Sequence, residues 1–203
     1  MKLYGINDMV RVDCGGCEGC SACCRGMGDT IVLDPLDVYR LTKQLDMPFE
    51  ALLENRIGLH VEEGLILPHL LMAGEEERCV FLNEKGRCSI HEARPGLCRL
   101  FPLGRSYEAG SLQYFLLEEC PKENRLKVKI RKWLDTPNPE QNQRFLKTWH
   151  DFRKELQKKT AAEPENSKEL NLFMLNLFFV QPYDKETDFY SQFEERYAKV
   201  CVQ

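Results

Sequence analysis

The chain lacks several features that would settle its class at once. It has no basic excess: 28 Lys and Arg stand against 32 Asp and Glu, for a net charge of −4 and a pI near 5.7. A protein whose main task is to coat nucleic acid or an anionic membrane is thereby disfavoured. It also lacks a long apolar run. Leu170 to Val180 is interrupted by Asn171 and Asn176 and falls short of the roughly 20 residues a membrane span needs. The opening MKLYGINDMV has neither a basic start nor an apolar segment with a small-residue cleavage site, so the expectation is a reduced, cytoplasmic setting with no membrane partner. No Gly-rich loop marks a nucleotide or S-adenosylmethionine pocket. With 43% hydrophobic residues in 203, disorder throughout is excluded.

What is present is cysteine. The 10 cysteines are about 5% of the chain, below the roughly 8 to 10% of a small disulfide scaffold. Five fall within eleven residues (Cys14, Cys17, Cys20, Cys23, Cys24), Cys79, Cys88, Cys98 and Cys120 follow singly, and Cys201 stands near the end. Reduced compartments keep thiols from pairing, so such a cluster points to metal. C-x-x-C spacing brings two sulfurs to one ion at low entropic cost, and here it repeats from Cys14 to Cys23. Cys14, Cys17, Cys20 and Cys24 also match the ligand spacing of bacterial ferredoxins, with Arg25 in place of the proline; Cys120-Pro121 resembles the ferredoxin cysteine-proline ending.

The packed run favours an iron-sulfur cluster, [4Fe-4S] in type, and the nine cysteines from Cys14 to Cys120 suffice for two centres. Zinc is the alternative, with Cys79 and Cys88 as one ligand pair and two N-terminal cysteines as the other. Adjacent Cys23 and Cys24 are expected to face different ways, serving two sites or dividing ligation from packing. Cys201 reads as a free structural thiol.

Arginines flank the ligands: Arg25 follows Cys24, Arg87 precedes Cys88, Arg99 follows Cys98, and Arg94 sits in the turn before it. Guanidinium groups there would offset the negative charge of a thiolate centre, which makes Arg25, Arg87, Arg94 and Arg99 the candidate cofactor-binding residues. Arg94-Pro95 also reads as the turn that presents Cys98. His91 reads as a histidine hydrogen-bonded beside the site, with auxiliary ligation the sharper reading; His60, His69 and His150 carry no pattern. No catalytic residue is assigned, and whether the protein is an enzyme stays open.

Along the chain, Asp34-Pro35 predicts a helix over 35–45, with Asp34 its cap, and Asp46-Met47-Pro48 a second ending near Gly58. A loose hairpin follows around Glu63-Gly64, then a strand-turn-strand knuckle from Cys79 to Cys88. Ile90 to Leu100 suggests helical turns broken at Pro95, and Leu103 to Leu117 a hairpin around Ala109-Gly110. Arg125 to Arg131 alternates as a strand, with a helix running on to Trp133 as the other reading. Helices follow from Asn138-Pro139 to about Lys159, from Glu169 to Val180 and from about Thr187 to Val200, with a linker over 161–167. The expected fold class is α+β: a cysteine-rich metal-binding part with short hairpins over 1–121, and a mainly helical extension over 122–203 packed on it.

Cys17-x-x-Cys20-x-x-Cys23-Cys24-Arg25, Cys79-Val80-Phe81-Leu82, Gly86-x-Cys88-x-Ile90-His91-Glu92 and Arg94-Pro95-x-x-Cys98-Arg99-x-Phe101-Pro102 together resemble the CxxCxxCC cysteine-cluster family, also called YkgJ-type. The resemblance covers about residues 14 to 121 and implies zinc or iron chelation by the matched cysteines, with Cys14 upstream of the block. The flagellin lysine-N-methylases carry a similar cluster linked to an Fe-S centre, which implies a protein-modifying enzyme with a protein substrate as one alternative; an electron-transfer role would instead need a redox partner. The region after 122 matches no motif of the family.

Overall fold

The computed structural model describes residues 1–13, 15 and 20–201. Cys14 and Cys17 lie outside the described residues. Four separate two-stranded antiparallel sheets and seven α-helices make up an α+β fold among the described residues.

Helix α1 (Pro35–Leu45) forms where the sequence predicts it. Asp34 accepts from the Asp37 amide at 2.9 Å and Asp37 accepts in return from Asp34, a reciprocal cap with Pro35 at the first helical position. The helix ends at Asp46, whose left-handed backbone turns the chain. The second helix, α2 (Phe49–Leu53), runs through Leu53 as the sequence predicts and stops short of Gly58, because Ile57 and Gly58 belong to a strand. Strands β2 (Ile57–Glu62) and β3 (Leu65–Leu70) form a regular hairpin over Glu63 and Gly64, both at positive φ, the geometry of a tight two-residue turn.

The predicted knuckle is built differently. β5 (Arg78–Cys79) pairs with β4 (Met72–Ala73), and only a single bridge from Leu82 to Cys88 joins the two limbs of the turn. Backbone hydrogen bonds from the Asn83 amide to Arg87 and from the Gly86 amide to Asn83, both 2.9 Å, hold the turn together with a side chain. Asn83 Oδ1 accepts from the amides of Lys85 and Arg87 at 3.0 and 2.9 Å, and Gly86 closes it at φ 69°. A 3-10 turn (His91–Ala93) and α3 (Gly96–Leu100) then flank Pro95, as the sequence predicts. β6 (Leu103–Ser106) and β7 (Gln113–Leu116) make the third hairpin.

Both readings of residues 125–133 hold in part: β8 (Leu126–Lys129) pairs with β1 (Met9–Asp13), and α4 (Ile130–Leu134) follows at once. α5 (Pro139–Ala162) runs into the expected linker, where a 3-10 turn over Pro164–Asn166 leads to α6 (Ser167–Leu175). A π-helical turn (Asn176–Val180) extends α6, and α7 (Phe189–Cys201) ends the described chain. The reading of Cys201 as a structural thiol concerns a side chain outside the described ones.

One large core draws on both parts of the chain. Leu33, Leu41, Leu52, Ile57, Leu67 and Ile90 pack with Phe145, Trp149, Phe152, Phe178, Phe179 and Phe193. Trp149 meets Phe178 at 5.3 Å and Phe179 at 5.8 Å between ring centroids. Two buried polar groups pin this core. Asn171 of α6 accepts from the Ile66 amide at 2.7 Å and donates to the Gly64 carbonyl at 3.0 Å, tying the β2–β3 turn to α6. Arg196 of α7 donates to the carbonyls of Leu177, Gln181 and Pro182 at 2.7 to 2.8 Å, where the π-turn leaves acceptors free, and lies 3.6 Å from the Tyr183 ring centroid. A smaller core joins Val10, Val12, Leu100, Leu103, Tyr114 and Ile130.

Candidate metal centre

The cysteines reach one place from three stretches of chain. Ala22–Cys24 is a single 3-10 turn. It is strapped to β5 by a bridge between Arg25 and Arg78 and by the Gly26 amide, 3.0 Å from the Glu77 carbonyl. That strapping sets Cys23 and Cys24 beside Cys79. Cys88 returns along the Asn83 turn, its neighbour Ser89 donating from its amide to Phe81 at 2.8 Å. Cys98 rides on α3, which is fixed to α1 because the Gly96 amide donates to Asp37 at 2.8 Å.

Cys20, Cys23, Cys24, Cys79, Cys88 and Cys98 all line one cavity of about 560 Å³, with His91, Arg87 and Arg94 on its wall. Cys120 does not line it. Cys23 and Cys24 both line this cavity, and their side chains hydrogen-bond one another. Among the described residues, no group of three or more His, Cys, Asp or Glu stands at metal-holding spacing.

The electrostatics of the thiols test whether a cation fits. Burial pushes Cys79, Cys88 and Cys98 up, and their mutual repulsion adds to it: Cys98 feels Cys79, Cys88 and Cys23, and Cys79 feels Cys88 and Cys23. Cys24 is held protonated by its hydrogen bond to Cys23, by burial and by the charges of Cys23, Cys98 and Cys79. Cys23 is the exception, lowered to about 7 chiefly by the hydrogen bond from Cys24 and also by the Arg94 charge. Thiols gathered where each resists the ionisation of the next are unfavourable alone, and a central cation offsets each of those repulsions. The donor set suits a soft metal.

The four flanking arginines divide. Arg94 lowers both Cys23 and Cys88, and Arg87 lies on the cavity wall. Arg99 is turned to the backbone, donating to the carbonyls of Glu92, Arg94 and Asp135, so it fixes the turn before Cys98. Arg25 pairs with Glu76. His91 lines the cavity, and burial together with the Arg94, Arg87 and Arg99 charges lowers its pKa, which disfavours the imidazolium.

Asp34 and Asp37 sit together in the same cavity. Burial pushes Asp34 up, and burial together with the Asp34 charge raises Asp37 to about 7. The sequence marks Asp34 as a cap with a role beside the cluster as the sharper reading, and Asp37, Arg105, Tyr107, Trp149 and Arg153 carry no local signal of a site. Asp37 reaches it on α1, Arg105 and Tyr107 on and just after β6, and Trp149 and Arg153 on α5.

The fold and its cysteine-lined cavity define an α+β protein of the metal-chelating class. A family model for the CxxCxxCC family, described as "Putative zinc- or iron-chelating domain", matches residues 16–128, more than half of the chain. The chain belongs to the CxxCxxCC family. The match takes in Cys17 to Cys120 and leaves Cys14 just outside. No curated protein and no solved structure matches. No helix among the described residues is long and apolar enough to cross a membrane.

Proposed function

We propose that the protein holds a cysteine-ligated iron-sulfur centre, [4Fe-4S] in type, with a redox or enzymatic role. The observation that carries this reading is the convergence of Cys20, Cys23, Cys24, Cys79, Cys88 and Cys98 on one cavity. Four thiolates around an oxidised cluster leave net negative charge, and the nearby Arg94 is the guanidinium best placed to offset it. Cys14, Cys17 and Cys120 are the reserve from which a second centre would draw. When bound, the cluster supplies one-electron transfer or an open iron site; the chain's own residues bury it and hold its thiolates.

Zinc is the second reading, favoured by one observation. Cys79 and Cys88 flank a turn locked by Asn83, the kind of preformed ligand pair structural zinc sites use. Anaerobic purification with elemental analysis separates the two. Brown protein with iron, acid-labile sulfide and broad absorption at roughly 400 nm supports the cluster, whereas a colourless preparation with stoichiometric zinc overturns it.

A further inference from the structure

The cavity extends beyond the cysteines. Its far arm is walled by Arg105 from β6, Tyr107 beyond it, and Leu146, Trp149, His150 and Arg153 from α5. Tyr107 and His150 stack with centroids 3.8 Å apart and planes 3° from parallel. Tyr107 is hydrogen-bonded to Arg105, and the charge of Arg153 also acts on it. The four side chains thus form one constellation, outside the cysteine cluster yet in the same cavity.

Three guanidinium groups of this cavity are incompletely satisfied. Arg94, Arg105 and Arg153 each bury an Nε–H that has no acceptor. A buried donor left unpaired costs about 1 to 3 kcal/mol, so the two such donors of Arg105 and Arg153 on the arm's wall mark a place where an acceptor belongs. The nearby carboxylates do not supply it. Asp34 and Asp37 accept from backbone amides of α1 and from Gly96, and Glu62 accepts from the Nη2 of Arg153 at 2.5 Å.

The charge balance says what kind of acceptor. Arg105 and Arg153 are the arm's positive groups, Glu62 is paired with Arg153, and burial disfavours the charged forms of both Asp34 and Asp37. The arm therefore has room for about one further negative charge, and a dianion would be left partly uncompensated. Apart from those groups the wall is apolar and aromatic, Leu146 and Trp149 lying beside the Tyr107–His150 stack.

We propose that this arm binds an organic monocarboxylate with an apolar or aromatic body, its carboxylate held by Arg105 and Arg153 and its body lying against Trp149 and the Tyr107–His150 stack. The arm is joined directly to the cysteines. A Cβ placed on Gly96 would meet Arg105 Nη2 at 3.0 Å, so the arginine passes over α3 two positions before Cys98. A carboxylate seated on Arg105 thus sits beside the helix that carries a candidate metal ligand. The inference extends the metal-centre reading by setting a small-molecule site next to that centre.

The test uses the full chain as purified anaerobically, with metal content measured on the same sample. Benzoate, 3-phenylpropanoate, their amides and phenyl phosphate are the probes, followed by calorimetry and by tryptophan fluorescence, since Trp149 and Trp133 line the cavity. At least one carboxylate should bind saturably at one per chain. Its amide and phenyl phosphate should each bind at least about tenfold more weakly. Arg105→Gln should weaken the carboxylate by about tenfold or more, and Arg105→Lys should restore part of the loss; Arg153→Gln repeats the test should Arg105→Gln fail to fold. Saturation by no carboxylate, equal affinity for the amide, or tighter binding of phenyl phosphate overturns the inference. Loss of binding with metal intact removes this inference alone, whereas carboxylate binding by metal-free protein supports it and removes the metal reading.

Discussion

Replacing Asp37 by asparagine should change the pH dependence of stability in a way that reports on the joint between α1 and the Cys98 helix. Asp37 is 2% exposed, accepts from the amides of Asp34 and Gly96, and sits beside the Asp34 carboxylate. Its folded pKa is raised from 3.8 to about 7. A group raised on folding contributes stability that is full below its unfolded pKa and is lost as pH rises toward and through the folded one. Each pKa unit is worth about 1.4 kcal/mol, so between about pH 5 and about pH 7 this carboxyl should remove about 2 kcal/mol from the stability of the native chain. The asparagine side chain keeps an acceptor for the Gly96 amide but presents an amide donor to the Asp34 N–H, a loss of about 1 kcal/mol at every pH. The two stability curves should therefore cross. By urea unfolding, D37N is the weaker protein by about 1 kcal/mol near pH 3, the curves meet between about pH 4 and about pH 5, and D37N is the stronger by about 3 kcal/mol near pH 7. Parallel curves would refute the raised carboxyl and with it the account of the buried acid pair.

Other perturbations have separate readouts. Cys98→Ala and Cys79→Ala should each lower bound metal by at least about half in elemental analysis, whereas Cys120→Ala should leave the content of the cavity site unchanged; equal losses in all three would place Cys120 at the same centre. Arg196→Ala strips three carbonyls of their donor, and with part of that offset by relief of burying an arginine it should cost about 2 to 3 kcal/mol, or about 5 to 10 °C in Tm by calorimetry. Asn171→Leu leaves the Ile66 amide and the Gly64 carbonyl unpaired and should cost about 2 kcal/mol; an unchanged Tm would mean water reaches them.

Most of the elements were legible because each is announced locally. Asp34-Pro35 carries the start of α1, Glu63-Gly64 the hairpin turn, and Pro95 and Gly110 the later breaks. The family was legible for the same reason: the cysteine spacing is a short-range pattern. What stayed hidden depends on partners far along the chain. β5 pairs with β4 rather than with the segment around Cys88, since the Leu71 carbonyl takes the Val80 amide at 3.1 Å and draws that limb onto the β3 side. Cys23 and Cys24 reach the cavity because the chain after their 3-10 turn is strapped to β5 through Arg25 and Gly26, a long-range contact. Arg99 reads as a cofactor neighbour in sequence, yet carbonyls of the turns it ties together take its donors. Tyr107, Trp149, His150 and Arg153 could not be joined to the cysteines from sequence, because the long helix α5 brings the last three there and packs His150 on Tyr107.

The shared core has a consequence for the order in which the molecule matures. Strands β2 and β3 and helix α1 bury Leu33, Leu41, Ile57 and Leu67 against aromatic side chains that extend to Phe193. A nascent chain that has released all its candidate ligands through Cys120 still has that apolar face bare. The thiols therefore emerge from the ribosome long before the scaffold that gathers them is complete, and residues 16–128 by themselves would expose a sticky half-core. Loading metal before α7 docks would mean binding to a flexible polypeptide. Loading it afterwards means entry through the cavity mouth of a finished protein, with the thiol protons leaving by the same route.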